Sequence, residues 1–263
     1  MKALKKYLNK RKSAITSVLE KQPESFTPDT FHTLRLEIKK LNAIFNLVNF
    51  CAPGFNRKKT FKPFKLLFSQ VGKIRELQVE NALLDKHSTS DCGPNYRRSL
   101  RKNLLQELNN FFLIINPSFA EKLQKKYRKI KAVLAKTTKK TAKRYVDKKK
   151  VKIEKLLHKK ALKKKQMHAL RKSLKEYQFN QKSLKYAQKN KLLSNKNDVL
   201  ALLGKWHDYQ TVIQHLKKTI DLGQINPKER NRLQNSIRTF TLKSRLLYTR
   251  INATLRTSVF KNA

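Results

Sequence analysis

The 263 residues of this chain, 39% of them hydrophobic, suit one large domain or two small ones of about 130 residues each. Lysine and arginine number 63 against 17 acids, a formal net charge of +46. That excess repels itself in any compact state unless a polyanion relieves it, so the partners to expect are nucleic acid, an inorganic phosphate polymer or an anionic surface.

Five glycines and seven prolines are few, and they fall where helices should begin or end. The first half reads as helices near 2–20, 28–50, 61–86 and 94–115. Thr27-Pro28 is a cap-plus-proline start for the second of these. Ala52-Pro53-Gly54 and Asp91-Cys92-Gly93-Pro94 read as turns. The second half reads as helices near 119–160, 166–190, 196–221 and 227–258. Asn226-Pro227 opens the last, with Glu229 placed to close a capping box. From Ser118 to Leu203 there is neither glycine nor proline, which suits one or two unusually long helices, the first of them near 119–160. Between Glu121 and Lys165 stand 21 lysines and arginines and three acids. Val133, Tyr145, Val146, Val151, Ile153, Leu156, Leu157 and Leu162 interrupt them, so a protruding basic helix is expected rather than a disordered linker.

Four helices and four helices, joined by short connections, predict an all-α fold of two antiparallel four-helix bundles, residues 1–116 and 117–263. Cys51 and Cys92 are too few for a disulfide framework and are expected as reduced thiols. The start, Met1-Lys2-Ala3-Leu4-Lys5-Lys6, lacks the apolar stretch of a signal peptide. The longest apolar run, Phe111 to Ile115, falls far short of the ~18 residues of a spanning helix. A soluble cytoplasmic protein without a membrane span is therefore expected.

The two halves echo one another. His32-Thr33-Leu34-Arg35-Leu36-Glu37-Ile38-Lys39 and His168-Ala169-Leu170-Arg171-Lys172-Ser173-Leu174-Lys175 share His-x-Leu-Arg-x-x-(Ile/Leu)-Lys. Val71-Gly72-Lys73-Ile74-Arg75-Glu76-Leu77-Gln78 then matches Leu203-Gly204-Lys205-Trp206-His207-Asp208-Tyr209-Gln210. The offsets are 136 and 132 residues. Two motifs recurring in one order at nearly one spacing indicate an internal duplication.

On a helix, His32, Arg35 and Lys39 fall at i, i+3 and i+7 and share a face, beside an apolar face of Leu34, Ile38, Leu41 and Phe45. His168, Arg171 and Lys175 repeat the ridge beside Leu170 and Leu174. A pseudo-two-fold relation between the halves would bring both ridges to a shared surface. Arginine offers paired donors to phosphate oxygens, lysine a mobile point charge, histidine a pH-dependent donor. One such face alone is usually a solvated helix surface; the matching second copy favours a ligand of repeating phosphates. Gly72 and Gly204 are expected to allow close helix approach, Glu76 and Asp208 to orient basic neighbours, and Trp206 to sit in the core.

On these residues the chain resembles the CHAD family, the conserved histidine α-helical domain. His32-Thr33-Leu34-Arg35 through Lys39-Lys40-Leu41 and His168-Ala169-Leu170-Arg171-Lys172 through Lys175 resemble its first motif. Gly72 with Arg75-Glu76-Leu77-Gln78-Val79, and Leu203-Gly204 with His207-Asp208, resemble its second. The resemblance spans essentially the whole chain. It implies eight helices in two pseudo-symmetric bundles whose basic surface binds inorganic polyphosphate, with granule association in some members. By analogy the contacts would be His32, Arg35, Lys39, Lys40, Lys73 and Arg75, with His168, Arg171, Lys172, Lys175, Lys205 and His207. Where the family often has a further arginine, three residues past Lys39 and Lys175, this chain has Asn42 and Gln178. Glu37 and Glu176 place acids within or beside the ridges.

Two other classes compete with a non-catalytic polyphosphate binder. One is a nucleic-acid-binding basic protein, nucleoid or RNA associated, that uses the 121–165 segment. No helix-turn-helix, zinc-finger or aromatic RNA-binding signature supports base reading. The other is an enzyme on phosphate polymers. Its metal would want clustered carboxylates, yet the acids are scattered, and neither His-Glu-x-x-His nor a glycine-rich phosphate loop occurs. No cofactor, metal or catalytic residue is expected.

Overall fold

Helix is the only regular structure among the described residues of the computed structural model. Those residues are 1–87, 93–159, 161–185, 196–223 and 225–260, with 196 and 257–260 described as backbone alone. In chain order come α1 (Lys2–Leu19), a 3-10 turn (Pro23–Ser25), α2 (Pro28–Cys51), α3 (Arg57–His87), α4 (Pro94–Ile114), α5 (Pro117–Ala135), α6 (Lys139–Leu157), α7 (Lys164–Leu184), α8 (Lys196–Asp221) and α9 (Pro227–Phe260). Thr27 caps α2 through the Thr30 N–H with Pro28 in the first turn. α3 starts earlier than its apolar pattern, at Arg57, because Asn56 Oδ1 accepts the Lys59 N–H at 2.8 Å. α7 ends at Leu184, followed by Lys185 with φ 51°; residues 186–190 of the expected helix lie outside the described residues.

The described residues thus hold nine α-helices where eight were expected, and the difference is the segment near 119–160. That stretch is two helices, parted by threonines instead of glycine or proline. Thr137 Oγ1 donates to the Leu134 carbonyl at 2.9 Å, and Thr138 Oγ1 accepts the Thr141 N–H at 3.2 Å. Threonine side chains compete for backbone groups, which ends one helix and starts the next. Neither helix is a bare protrusion. α5 buries Phe119, Leu123, Tyr127, Ile130 and Leu134 on one stripe, and α6 buries Ala142, Tyr145, Val146, Ile153 and Leu157. The lysine run is the outer face of two packed helices.

By packing, the chain divides into two compact units. Unit 1 holds Met1–Gly72, Asn109–Lys155 and α7 from Lys172 onward; unit 2 holds Lys73–Leu108, Leu156–Arg171, α8 and α9. α3, α4, α6 and α7 each begin in one unit and end in the other. Packing and sequence repetition are separate grounds for dividing a chain, and the halves 1–116 and 117–263 rest on the second.

In unit 1, rings of Phe26, Phe31, Phe111 and Phe112 meet at centroid distances of 5.2 to 5.4 Å. Phe45 gathers Phe55, Phe61 and Phe64 in a second cluster, and Tyr127 reaches Phe64 at 5.0 Å. Cys51 is a free, half-buried thiol, whereas Cys92 lies outside the described residues. In unit 2, Leu77 and Leu84 of α3, Tyr96 and Leu100 of α4, Val212, Leu216 and Ile220 of α8, and Leu233 and Phe240 of α9 form one core. Asn226 Oδ1 accepts the Glu229 N–H at 2.8 Å, as a cap should. Buried Glu229 has a second partner that its local sequence does not announce: it accepts the Asn95 N–H at 2.9 Å and so satisfies the start of α4. Gly93, at φ 96°, makes this possible, since a Cβ there would stand 2.4 Å from the Glu229 carboxylate.

Candidate polyanion-binding surfaces

α2 is pinned in unit 1 by Leu34, Ile38, Leu41 and Phe45, all 0% exposed. The helical period then leaves His32 exposed and Arg35, Lys39 and Lys40 partly exposed. Phe68 of α3 forms a platform for this ridge: its ring centroid lies 5.0 Å from Arg35 Cζ and 5.9 Å from Lys39 Nζ. One turn further along α3, a Cβ at Gly72 would stand 2.9 Å from Arg35 Nη1. The close approach expected at Gly72 is therefore that of a guanidinium laid across the helix.

Lys40 differs from its neighbours. Its ammonium lies 2.6 Å from buried Glu37, which also holds Arg11 at 2.8 Å, so part of its charge is answered within the fold. Arg57 was not among the expected contacts, yet its Nη2 donates to Asn42 Oδ1 at 2.6 Å. Asn42 is where the family often has arginine, and here a guanidinium is held at that place from α3. Lys172 is exposed and Lys175 partly so. Glu176, the acid beside that ridge, accepts from Asn46 at 2.9 Å, from Lys149 at 3.0 Å and from the Tyr145 hydroxyl. Burial, reinforced by this carboxylate, holds the Tyr145 phenol far above its ordinary range.

The other six expected contacts lie in unit 2. Lys73 and Lys205 are exposed; Arg75, His168, Arg171 and His207 are partly exposed. Arg75 Nη1 donates to Gln78 at 2.9 Å. The His168 ring lies 4.7 Å from Trp206 and 5.1 Å from His207. Trp206, 1% exposed, belongs to the core as expected. Gly204 departs from expectation: a Cβ there would meet nothing within 4 Å, so no close approach requires glycine.

Lys73 also faces a cleft of about 510 Å³ within unit 2, between α3, α4 and α8. There it meets both Glu107 oxygens at 3.3 Å. Glu76 lines the same cleft, as does Glu80, which is 1% exposed and accepts from the Tyr96 hydroxyl and His215 Nδ1. The hydrogen bond to Glu80 holds the His215 imidazole above its ordinary pKa of 6.5. Neither this pair nor Phe68 was expected. Phe68 was detectable in principle, because it precedes Gly72 by four residues and so shares its helical face. The Glu80–His215 pair, 135 residues apart, carries no local signal.

Among the described residues, no group of three or more histidine, cysteine or acidic side chains could hold a metal ion. No described helix is long and apolar enough to cross a membrane. No family model and no curated protein matches the sequence. The fold does have relatives. Over 96% of this chain and 89% of the other, it is similar to the crystal structure of the CHAD domain from the plant Ricinus communis, with a TM-score of 0.74 and 14% identity. It is also similar to PptA from Streptomyces chartreusis, with a TM-score of 0.67, 10% identity, and coverage of 95% of this chain and 98% of that one. Identities this low speak for the fold alone. The all-helical order and these two likenesses agree with the resemblance carried by the repeated histidine and glycine motifs: this chain has the CHAD fold.

Proposed function

We propose that the protein binds inorganic polyphosphate through a basic surface to which both sequence repeats contribute, and that it catalyses no reaction on the polymer. The observation that carries this reading is exposure: none of the twelve motif cations and histidines is buried, although each sits beside a buried apolar stripe. Burial fixes where each ridge lies and keeps its cations at least partly open to solvent. A polymer with one charge per repeat and no bases suits such ridges, which offer donors in series and no exposed motif tryptophan on which a base could stack. Binding would displace counterions from the polymer and weaken steeply as salt rises. A chain long enough to engage more than one ridge gains avidity from each added contact.

The solvated faces of α5 and α6 favour a second reading, in which Lys122, Lys125, Arg128, Lys139, Lys143 and Arg144, all exposed, bind nucleic acid without reading sequence. The experiment compares long-chain polyphosphate with DNA of equal total charge across a salt series. Polyphosphate should bind more tightly throughout, and equal or tighter DNA binding would refute the preference. Location separates the readings further. Alanines at Arg35, Lys39, Arg171 and Lys175 should weaken polyphosphate binding, and alanines on the outer faces of α5 and α6 should matter less. The reverse order would support the nucleic-acid reading.

A further inference from the structure

We infer that a cleft of unit 2 between the end of α3 and the start of α4 is a separate site for a terminal phosphate group, the doubly charged end of an oligophosphate or polyphosphate. The cleft, about 560 Å³, is lined by Asn81, Asp85, Pro94, Arg97, Arg98 and Arg101. Arginine is the minority cation of this lysine-rich chain, yet three fall within two turns of α4. Tyr96 and Leu100, 4% and 3% exposed, turn the opposite face of α4 into the core. The arginines are thereby held on the outer face at spacings where like charges repel.

Among the described residues of the lining, Asp85 is the only acid. Arg97 Nη1 lies 2.6 Å from Asp85 Oδ1 and 3.1 Å from Asn81 Oδ1, and Asn81 Nδ2 donates to Asp85 Oδ2 at 2.9 Å. That bracket fixes the Arg97 guanidinium. Arg98 and Arg101 are exposed and make no hydrogen bond or ion pair among the described residues. Three arginines against one aspartate leave the described lining cationic. The start of α4 does not supply the attraction, because Glu229 already takes its Asn95 N–H.

The shape of the charge selects the ligand. A terminal phosphoryl group presents three acceptor oxygens and close to two charges, whereas a phosphate inside a chain has two free oxygens and one charge. Guanidinium forks deliver donors in parallel pairs, and several around one compact cleft match the denser group. The motif ridges differ in kind, being strung along helices and mixing single arginines with lysine and histidine. The inference does not require the polymer reading, since a free short oligophosphate would serve as well.

Pyrophosphate and cyclic trimetaphosphate test it, because their charges are similar but the ring has no terminal phosphate. Calorimetry on the full chain should show pyrophosphate binding more tightly than trimetaphosphate. Arg98→Ala with Arg101→Ala should weaken pyrophosphate binding by about tenfold or more, the loss expected when charge-assisted hydrogen bonds are removed. Arg98→Lys with Arg101→Lys, which keeps the charge and loses the forks, should fall between, and circular dichroism should show each variant helical. Equal affinity for the two anions, or an unchanged alanine double variant, would overturn the site. Long-chain polyphosphate with blocked ends identifies the source: weaker binding than the unblocked chain names the polymer end, and no difference names a free oligophosphate. Removing Arg35, Lys39, Arg171 and Lys175 should leave pyrophosphate binding intact, which separates this site from the ridges.

Discussion

The two glycines of the repeated motif occupy matching places in the sequence and do different work in the structure. Gly72 clears the path of Arg35, while Gly204 stands in open space. The aromatic neighbours diverge as well. Half-exposed Phe68 carries Arg35 and Lys39 on its face, whereas Trp206 is sealed in the core with His168 against it. Both copies keep a cationic ridge beside a buried stripe, but the supports beneath the ridges differ. The two motif copies share what faces the solvent more closely than they share the devices that hold it there.

The largest expected contrast lies between the aromatic supports. Trp206→Ala should cost about 3–5 kcal/mol, as for a large side chain removed from a packed core, and lower the thermal midpoint sharply. Phe68→Ala should cost less stability, because Phe68 is only partly buried, and should weaken polyphosphate binding by releasing Arg35 and Lys39. Calorimetric melts with a binding isotherm on each variant check both. Equal destabilisation by the two changes would show that Phe68 is simply core.

Charge removal copy by copy comes next. Replacing Arg35, Lys39, Arg171 and Lys175 by alanine should lower polyphosphate affinity by roughly two orders of magnitude, with the salt slope shallower by about one per charge removed. Arg35 with Lys39 should account for more of the loss than Arg171 with Lys175, since the first pair is held over Phe68. Arg57→Ala should add a smaller loss if the guanidinium held at Asn42 belongs to the same ridge. A second pair costing as much as the first would mean that the platform contributes nothing to binding.

The glycines give a finer contrast. Gly204→Ala places a methyl in open space within α8 and should stabilise the protein by up to about 1 kcal/mol, the ordinary helical gain of alanine over glycine. Polyphosphate affinity should not change. Gly72→Ala pushes aside the flexible end of Arg35, so its helical gain is offset by the displaced guanidinium, and affinity should fall a few-fold. Melting curves and binding isotherms of both variants decide. Loss of affinity in Gly204→Ala, or none in Gly72→Ala, would reverse the assignment.

What the sequence made legible follows the range of the forces involved. Periodicity and capping act over a few residues, so seven of the eight expected helices lie close to their places and the ridge of His32, Arg35 and Lys39 emerges on the predicted face. The break at Thr137 and Thr138 was local too, but written in threonine hydroxyls, a weaker signal than glycine or proline. The long-range ties had no local trace. Glu229 satisfying Asn95 spans 134 residues, and Arg57 answers Asn42 across a turn between helices. Which glycine needs to be glycine is decided by a neighbour on another helix, a fact that motif matching does not contain.

The smallest expected effect concerns how unit 2 ties α3 to α8, the two helices that carry the glycine motifs. His215 of α8 is bound to Glu80 of α3, and this hydrogen bond raises the histidine above its ordinary value of 6.5. A raised folded-state value means that the tie is fully present below the unfolded pKa and is lost as pH rises through the folded one. His87, against Tyr209 at 2.8 Å, is shifted the other way, chiefly by burial and then by Lys243 and Lys86. Its lowered value penalises the folded state on the acid side and ceases to matter above the ordinary pKa. The two histidines thus erode stability at opposite ends of the neutral range. Melting temperatures between about pH 5 and pH 9 should fall toward the alkaline side in the parent and be flatter there in His215→Gln. His87→Gln should flatten the acid side instead. An alkaline slope unchanged in His215→Gln would mean that the Glu80 contact contributes no pH-dependent stability, and that α3 and α8 are joined by their shared core and the His87–Tyr209 contact.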